Sequence, residues 1–459
     1  MYKDEKIKIS HTVSPPLRGG LGGALLITFL AATITVSAQQ NMVMYQMSTL
    51  PQRQALNPAF MPEQKFSIGI PFLSSIDLGF YNTGFKYTDL IRHSPDDSLY
   101  MDFENVLNNL SDENNIGLNF ETQLLAAQYK FGKNYFGFAA TEKLNLDFRY
   151  NKILIDFILH GNGAFLGEEI HPSFALNMNH YREYAFAFGR KFTDKLSIGT
   201  RFKYLSGLQN VQTKAADFTL TTNSESFEIT GSPNLVINSS GFGDDITQTM
   251  SFNDYMFTKG NKGFAMDFGA SYNANEKLSF SFSLLDIGYI NWKNNVTNYT
   301  NVDGGNFTYN GIDLNYYIQD STDIDQSFQN FLDSLTGTLN LDTLHEAYKA
   351  SLPTQLYMSA DLKIAKNSTA SFLIYNRLYQ KKISTAIAMS FTQKVGKWFE
   401  ATVNYSLINK HVNNVGAGLA FRGNGVQYFI ISDNAIGVFL PHKVNTFSFK
   451  MGMNLVFGN

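Results

Sequence analysis

The chain has no cysteine among its 459 residues, so it can form neither a disulfide nor a thiolate metal site. Proline is scarce at 11 residues, and tryptophan scarcer at two. Charge is thin: Asp, Glu, Lys and Arg make up 16% of the chain, against roughly 25% in an ordinary soluble domain. Neither sign dominates, with a net charge of −3 and a pI near 6.3, so no basic excess points to nucleic acid. After residue 38 no apolar run approaches the about 20 residues that a spanning helix needs. These absences exclude a helical membrane protein and argue against the two or three soluble domains that the length alone would suggest. Aromatic residues are what the chain has in excess, with 40 Phe and 24 Tyr. Mean hydropathy is nevertheless −0.16. Such a chain carries an apolar and a polar face along most of its length, as a lipid-facing β-chain does.

The N-terminus reads as an address. Residues 1–20 carry Lys3, Lys6, Lys8 and Arg18, and Leu21–Val36 is an apolar run of secretory-signal length. It ends Val36-Ser37-Ala38, with small or permissive residues at the −3 and −1 positions. The pattern predicts a signal peptide over residues 1–38, cleaved after Ala38. An uncleaved anchor helix is the alternative, for which the run is short. The segment holds four basic and two acidic side chains, so its removal takes the net charge from −3 to −5.

Most of the remaining chain alternates. Leu278, Phe280, Phe282 and Leu284 oppose Ser279, Ser281 and Ser283. Leu144, Leu146, Phe148 and Tyr150 oppose Asn145, Asp147 and Arg149. At the C-terminus Phe447, Phe449, Met451, Met453, Leu455 and Phe457 oppose Ser448, Lys450, Gly452 and Asn454. Period two over such lengths is the strand signature. Polar faces that include Lys, Asp and Arg fit a wet lumen with the apolar face turned to lipid.

Fourteen strands are predicted, near residues 66–81, 116–131, 134–149, 172–191, 195–208, 262–273, 277–290, 354–364, 368–380, 383–394, 398–408, 413–422, 425–432 and 444–457. Alternate connections are tiny, such as Gly132-Lys133 and Gly423-Asn424, and every long one falls on the other side. Short turns at one end, long loops at the other and an even strand number describe an all-β, transmembrane antiparallel β-barrel of the bacterial outer membrane. The predicted organisation is a signal peptide over 1–38, a short N-terminal plug segment over 39–65 and a barrel over 66–459 with long extracellular loops. Helical spacing predicts loop helices at Asp102–Leu110 and Asp323–Leu335. Ile153–Leu159 fits helix or strand, and Phe218–Ile237 predicts an outward hairpin split near Thr222–Ser226.

Just before the first strand stands Asn57-Pro58-Ala59, preceded by Arg53. A triplet of this kind in this place resembles the N-terminal plug region of FadL-like fourteen-stranded barrels. With Val426–Asn434 and Thr446–Gly458, it is also similar to the Bacteroidota barrels related to them, including the PorV and PorP/SprF types. The resemblance implies passage of hydrophobic compounds through the barrel and out at a kinked third strand. Here that strand has only Gly137 as an irregularity. Other members of the wider group are structural parts of secretion or gliding machinery.

Catalytic chemistry leaves no pattern. Eight His are scattered without metal-ligand spacing, and no Ser–His pair is singled out. Neither an enzyme, a cofactor nor a metal site is predicted. Asp320, Asp323 and Asp325 read as a solvated helix start more than as a calcium site. Asp147, Arg149, Arg201, Lys203, Asp267, Asp361 and Lys450 are expected to point inward. They would either line a selective path or form an ion-pair network filling a plugged lumen. The plug residues Arg53, Asn57, Pro58 and Ala59 are expected to fold inward, with Arg53 meeting Asp147 or Asp361. Lumen positions such as Ser281 are expected to tolerate Arg better than lipid-facing Phe280. The expected partners are outer-membrane lipid, a hydrophobic or small amphipathic ligand, and a protein at the extracellular loops or periplasmic face. The function that the resemblance implies is FadL-like passive transport of hydrophobic or small amphipathic compounds, with a non-transporting structural or interaction barrel in a cell-surface or secretion assembly as the alternative.

Overall fold

A computed structural model describes residues 41–94, 98–242, 260–301, 306–309, 341–408 and 411–458. The expected signal peptide, the helix at 323–335 and the Asp320/Asp323/Asp325 group lie outside the described residues.

Fourteen barrel strands, labelled β1–β14, follow the chain. β1 comes in two pieces, Phe66–Gly69 and Ile76–Asn82, followed by β2 Glu113–Phe131, β3 Asn134–Asn151, β4 Phe174–Lys191 and β5 Leu196–Thr222. Then come β6 Asn261–Asn273, β7 Leu278–Trp292, β8 Thr354–Ala365, β9 Ser368–Tyr379 and β10 Lys382–Val395. β11 Phe399–Ile408, β12 His411–Gly423, β13 Val426–Ser432 and β14 Thr446–Phe457 complete the set. Each pairs antiparallel with the next, and β14 returns to both pieces of β1, with Phe66 opposite Phe457 and Ile76 opposite Met451. Closure leaves no strand edge for lipid to desolvate.

The two faces separate as alternation requires. Phe264, Phe280 and Met389 are exposed on the outside, whereas Lys203, Asp267 and Ser281 are buried within. An apolar exterior around a polar interior is the arrangement of a membrane-spanning barrel.

β1 and β5 depart from the expected strands, whereas β3 does not. β1 breaks because Pro71 has no N–H to give to a ladder. Residues 70–75 bulge out, and the Met453 amide bridges the gap by donating to Leu73 O at 2.8 Å. β3, the strand the resemblance would kink, pairs with β4 without interruption from Asn134 to Tyr150. β5 runs on past the barrel to Thr222 and turns back into Ile229–Ser240, which pairs with Val296–Asn301 and Phe307–Tyr309 as an outer sheet. Helices α2, Phe103–Asn109, and α3, Lys152–His160, cover the barrel beside β3. Each begins at a capping side chain: Asp102 accepts from Asn105 N, and Asn151 from Leu154 N.

Candidate functional site: the plugged lumen

A fourteen-stranded barrel is too wide for wall side chains alone to fill. Residues 41–60 lie inside it. Helix α1, Met42–Gln46, is wholly buried. Its Val43 amide donates to Asp433 Oδ1 at 2.9 Å, and the Tyr45 ring stacks on Tyr357 with centroids 5.0 Å apart. The Tyr45 hydroxyl lies 2.9 Å from Ser281 Oγ. Beyond it the Ser48 and Thr49 amides each donate to the Glu400 carboxylate at 3.0 Å. A 3-10 turn, Pro51–Ala55, follows.

Irregular backbone at membrane depth needs partners, because lipid offers none. The wall supplies them. Gln128 donates to Pro51 O at 2.8 Å, Arg201 to Ala55 O at 3.1 Å, Ser283 to Leu56 O at 2.6 Å and Tyr135 to Pro58 O at 2.6 Å. Gln52 returns a bond to the wall at the β1 break, donating to Ser74 O at 2.7 Å.

The Asn57-Pro58-Ala59 triplet has a specific seat. Asn57 Oδ1 accepts from the Ala59 amide at 2.9 Å, closing a tight turn. Its Nδ2 donates to Phe282 O at 3.1 Å. Against the turn lies a row of glycines in ladder register across β4, β5 and β6: Gly189, Gly199 and Gly269. A Cβ on Gly199 would stand 1.8 Å from Pro58 O, and one on Gly269 2.1 Å from Asn57 Oδ1. Only bare backbone lets the turn approach this closely.

The seven charged positions named from the sequence fall into four places. Arg201, Lys203 and Asp267 come together: Arg201 meets Asp267 at 3.1 Å and Glu183 at 3.0 Å, and Lys203 meets Asp267 at 2.7 Å and Asp286 at 2.6 Å. Lys143 joins through Glu183 at 3.1 Å. Asp147 and Arg149 pair with each other at 3.2 Å near the long-loop end. Lys450 pairs with Asp77 at 2.6 Å. Asp361 stands apart, accepting from Ser359 Oγ at 2.7 Å. The expected ion pair of Arg53 does not form. Its Nε donates to Tyr45 O at 2.6 Å and its guanidinium lies 3.7 Å over the Phe60 ring, while Asp147 is taken by Arg149 and Tyr81.

Sequence reasoning missed Lys143, Glu183 and Glu400, although their polar parity matches that of Asp147 and Arg201. Asp286 was hidden for a different reason. It shares the parity of lipid-facing Phe280, but a bulge opposite Asp267 puts it at a φ of 60° and turns it inward. Its amide donates to Asp267 Oδ1 at 2.7 Å.

Cavities flank the plug. One of about 80 Å³ lies toward the long-loop end, between plug residues such as Met44 and Leu56 and the Glu183–Arg201–Lys203 group. Another, of about 790 Å³, opens at the short-turn end beneath Arg53, Phe60 and Met61. Among the described residues no three His, Asp or Glu side chains gather to hold a metal ion.

The model of a family of unknown function, DUF5723, matches residues 58–433. No curated protein matches the chain. Among solved structures it is similar to the Pseudomonas putida toluene transporter TodX, with a TM-score of 0.38 and 9% identity over 88% of this chain and 93% of that one. A Pseudomonas aeruginosa FadL homologue gives 0.38 and 10% over 93% and 98%, and the Ralstonia pickettii toluene transporter TbuX 0.34 and 10% over 89% and 94%. Closure at fourteen strands stands on the hydrogen-bond ladder itself and not on these likenesses.

Proposed function

The chain belongs to the family of unknown function DUF5723, and from its geometry we propose that it is a bacterial outer-membrane barrel that passes small amphipathic compounds when its N-terminal plug yields. The observation that carries this reading is the pair of cavities, about 80 Å³ and about 790 Å³, that both border the N-terminal segment, the first at Met44 and Leu56 and the second at Arg53 and Phe60. A plug held to the wall by separate hydrogen bonds can shift without breaking the barrel's own ladder. Both cavities are lined by charged and polar groups as well as apolar ones, which favours amphipathic solutes over purely hydrophobic ones.

Uptake of hexanesulfonate, a permanently charged amphipath that crosses lipid slowly, into proteoliposomes tests the reading. Uptake above that of protein-free liposomes is expected, and its absence would overturn the proposal. A second reading, an interaction barrel, is favoured by apolar side chains exposed on the outer loops, among them Leu99, Met101 and Phe439. It predicts a partner that co-purifies with the intact barrel and is lost when Phe439 becomes Ser.

A further inference from the structure

The cavity at the short-turn end is far from neutral, although the whole chain carries a net charge of only −3. Six lysines line it: Lys130, Lys133, Lys191, Lys363, Lys366 and Lys394. Arg53 adds a seventh cation at the roof, and the only lining carboxylates are Glu63 and Asp361. Local pairing does not cancel the excess. Lys394 meets Glu63 at 2.6 Å, Lys191 meets the well-exposed Asp194 at 3.3 Å, and Lys130 donates to the neutral Pro62 carbonyl. Among the described residues Lys133, Lys363 and Lys366 have no carboxylate partner.

Concavity makes this charge count. Low-dielectric walls around a basin of one sign focus its field and concentrate counter-ions. At about 790 Å³ the basin has the volume of a small-molecule site. Its roof adds apolar surface at Phe60 and Met61, beside the Arg53 guanidinium that lies 3.7 Å over the Phe60 ring. A cationic basin with an apolar patch in its roof matches one chemical class: a small amphipath with an anionic head.

We infer that this vestibule is a binding site for small organic anions carrying an apolar tail, the carboxylate, sulfonate or phosphate head held by the lysines and the tail against Phe60 and Met61. The inference rests on the passage reading and names the solute class of that route. It places the solute directly below the plug, where docking of a tail against Phe60 acts on the segment that must move.

The test uses the full mature protein in nanodiscs, titrated calorimetrically with hexanesulfonate and, separately, with hexyltrimethylammonium. Hexanesulfonate is expected to bind and the cation not to. The triple variant Lys133→Gln, Lys363→Gln, Lys366→Gln is expected to weaken hexanesulfonate by about tenfold at low salt, with the difference shrinking as salt rises. Lys397→Gln, on the same rim but outside the cavity, should leave binding unchanged. Equal binding of the two head groups, or binding indifferent to the triple variant, would overturn the inference. So would tight, lysine-dependent binding of a hexaglutamate peptide by a protein that ignores hexanesulfonate, which would assign the basin to an acidic protein segment. Uptake is measured apart from binding: lysine-dependent binding without uptake supports the site and refutes passage.

Discussion

The seat of the Asn57-Pro58-Ala59 turn can be perturbed with one methyl group. Gly199→Ala leaves the β5 ladder untouched but puts a Cβ 1.8 Å from Pro58 O, far inside the 3.0 Å below which such contacts essentially do not occur. The obstacle is backbone, so no side chain can swing aside. The turn must withdraw, and with it go the Tyr135 bond to Pro58 O at 2.6 Å and the Asn57 bond to Phe282 O at 3.1 Å. Losing two hydrogen bonds at about 1 kcal/mol each, or keeping them at an overpacking cost of about 1–3 kcal/mol, gives a penalty of about 1–3 kcal/mol. That lowers the ratio of docked to undocked plug roughly 5- to 140-fold. Single-channel recording in planar bilayers reads this directly as a rise in open events. Gly423→Ala is the control, since its added Cβ meets nothing within 4 Å. Heat-modifiable migration shows that each variant has formed its barrel. If Gly199→Ala folds and records like the parent protein, the glycine row is not the plug's seat and the reasoning fails.

Four other perturbations probe separate parts of the molecule. Phe280→Arg places a charge in lipid at a cost of about 2–4 kcal/mol and should lower the yield of assembled barrel. Ser281→Arg should assemble but conduct, because Ser281 Oγ sits 2.9 Å from the Tyr45 hydroxyl; normal closure in that variant would contradict the packing. Asp267→Asn strips a carboxylate from between Arg201 and Lys203, so the urea midpoint should fall by the equivalent of about 3–5 kcal/mol, and an unchanged midpoint would refute the network's role. His160 bridges Asp156 of its own helix and Glu104 of α2, both at 2.7 Å, and these bonds raise its pKa. A raised folded-state value means the contact stabilises fully below the unfolded value, near about 6.5, and is lost as pH rises through the raised one. Amide exchange in α2 should therefore quicken with pH beyond its intrinsic rise, and His160→Gln should abolish that excess.

The barrel was legible because alternation is a property of the backbone, repeated strand after strand. Strand number and the parity of short and long connections followed from it. Where alternation is locally broken, the reading lost its footing. Pro71 sits in the open, yet β1 was expected unbroken over 66–81, because the flanking residues alternate well enough to mask it. β5 was expected to stop near 208, whereas the ladder absorbs a bulge opposite His180 and Tyr181 and runs on to Thr222. Asp286 was invisible for the same reason. The lumen was harder still, since what a wall position meets across the barrel is not encoded nearby in sequence. Ser281 looked like a solvated lumen position and is instead packed against Tyr45, 236 residues away. Arg53 was expected to seek an acid and is held by a carbonyl and a ring. The glycine row could have been suspected, because Gly189, Gly199 and Gly269 interrupt the polar parity of three neighbouring strands, but nothing local says what they make room for.

The central claim is that residues 41–60 occlude the lumen. Deleting them and recording single-channel conductance of the refolded barrel is the most direct measurement. The account predicts a large, persistent conductance where the parent protein is mostly closed, with heat-modifiable migration retained. A folded deletion variant whose conductance equals that of the parent would contradict it.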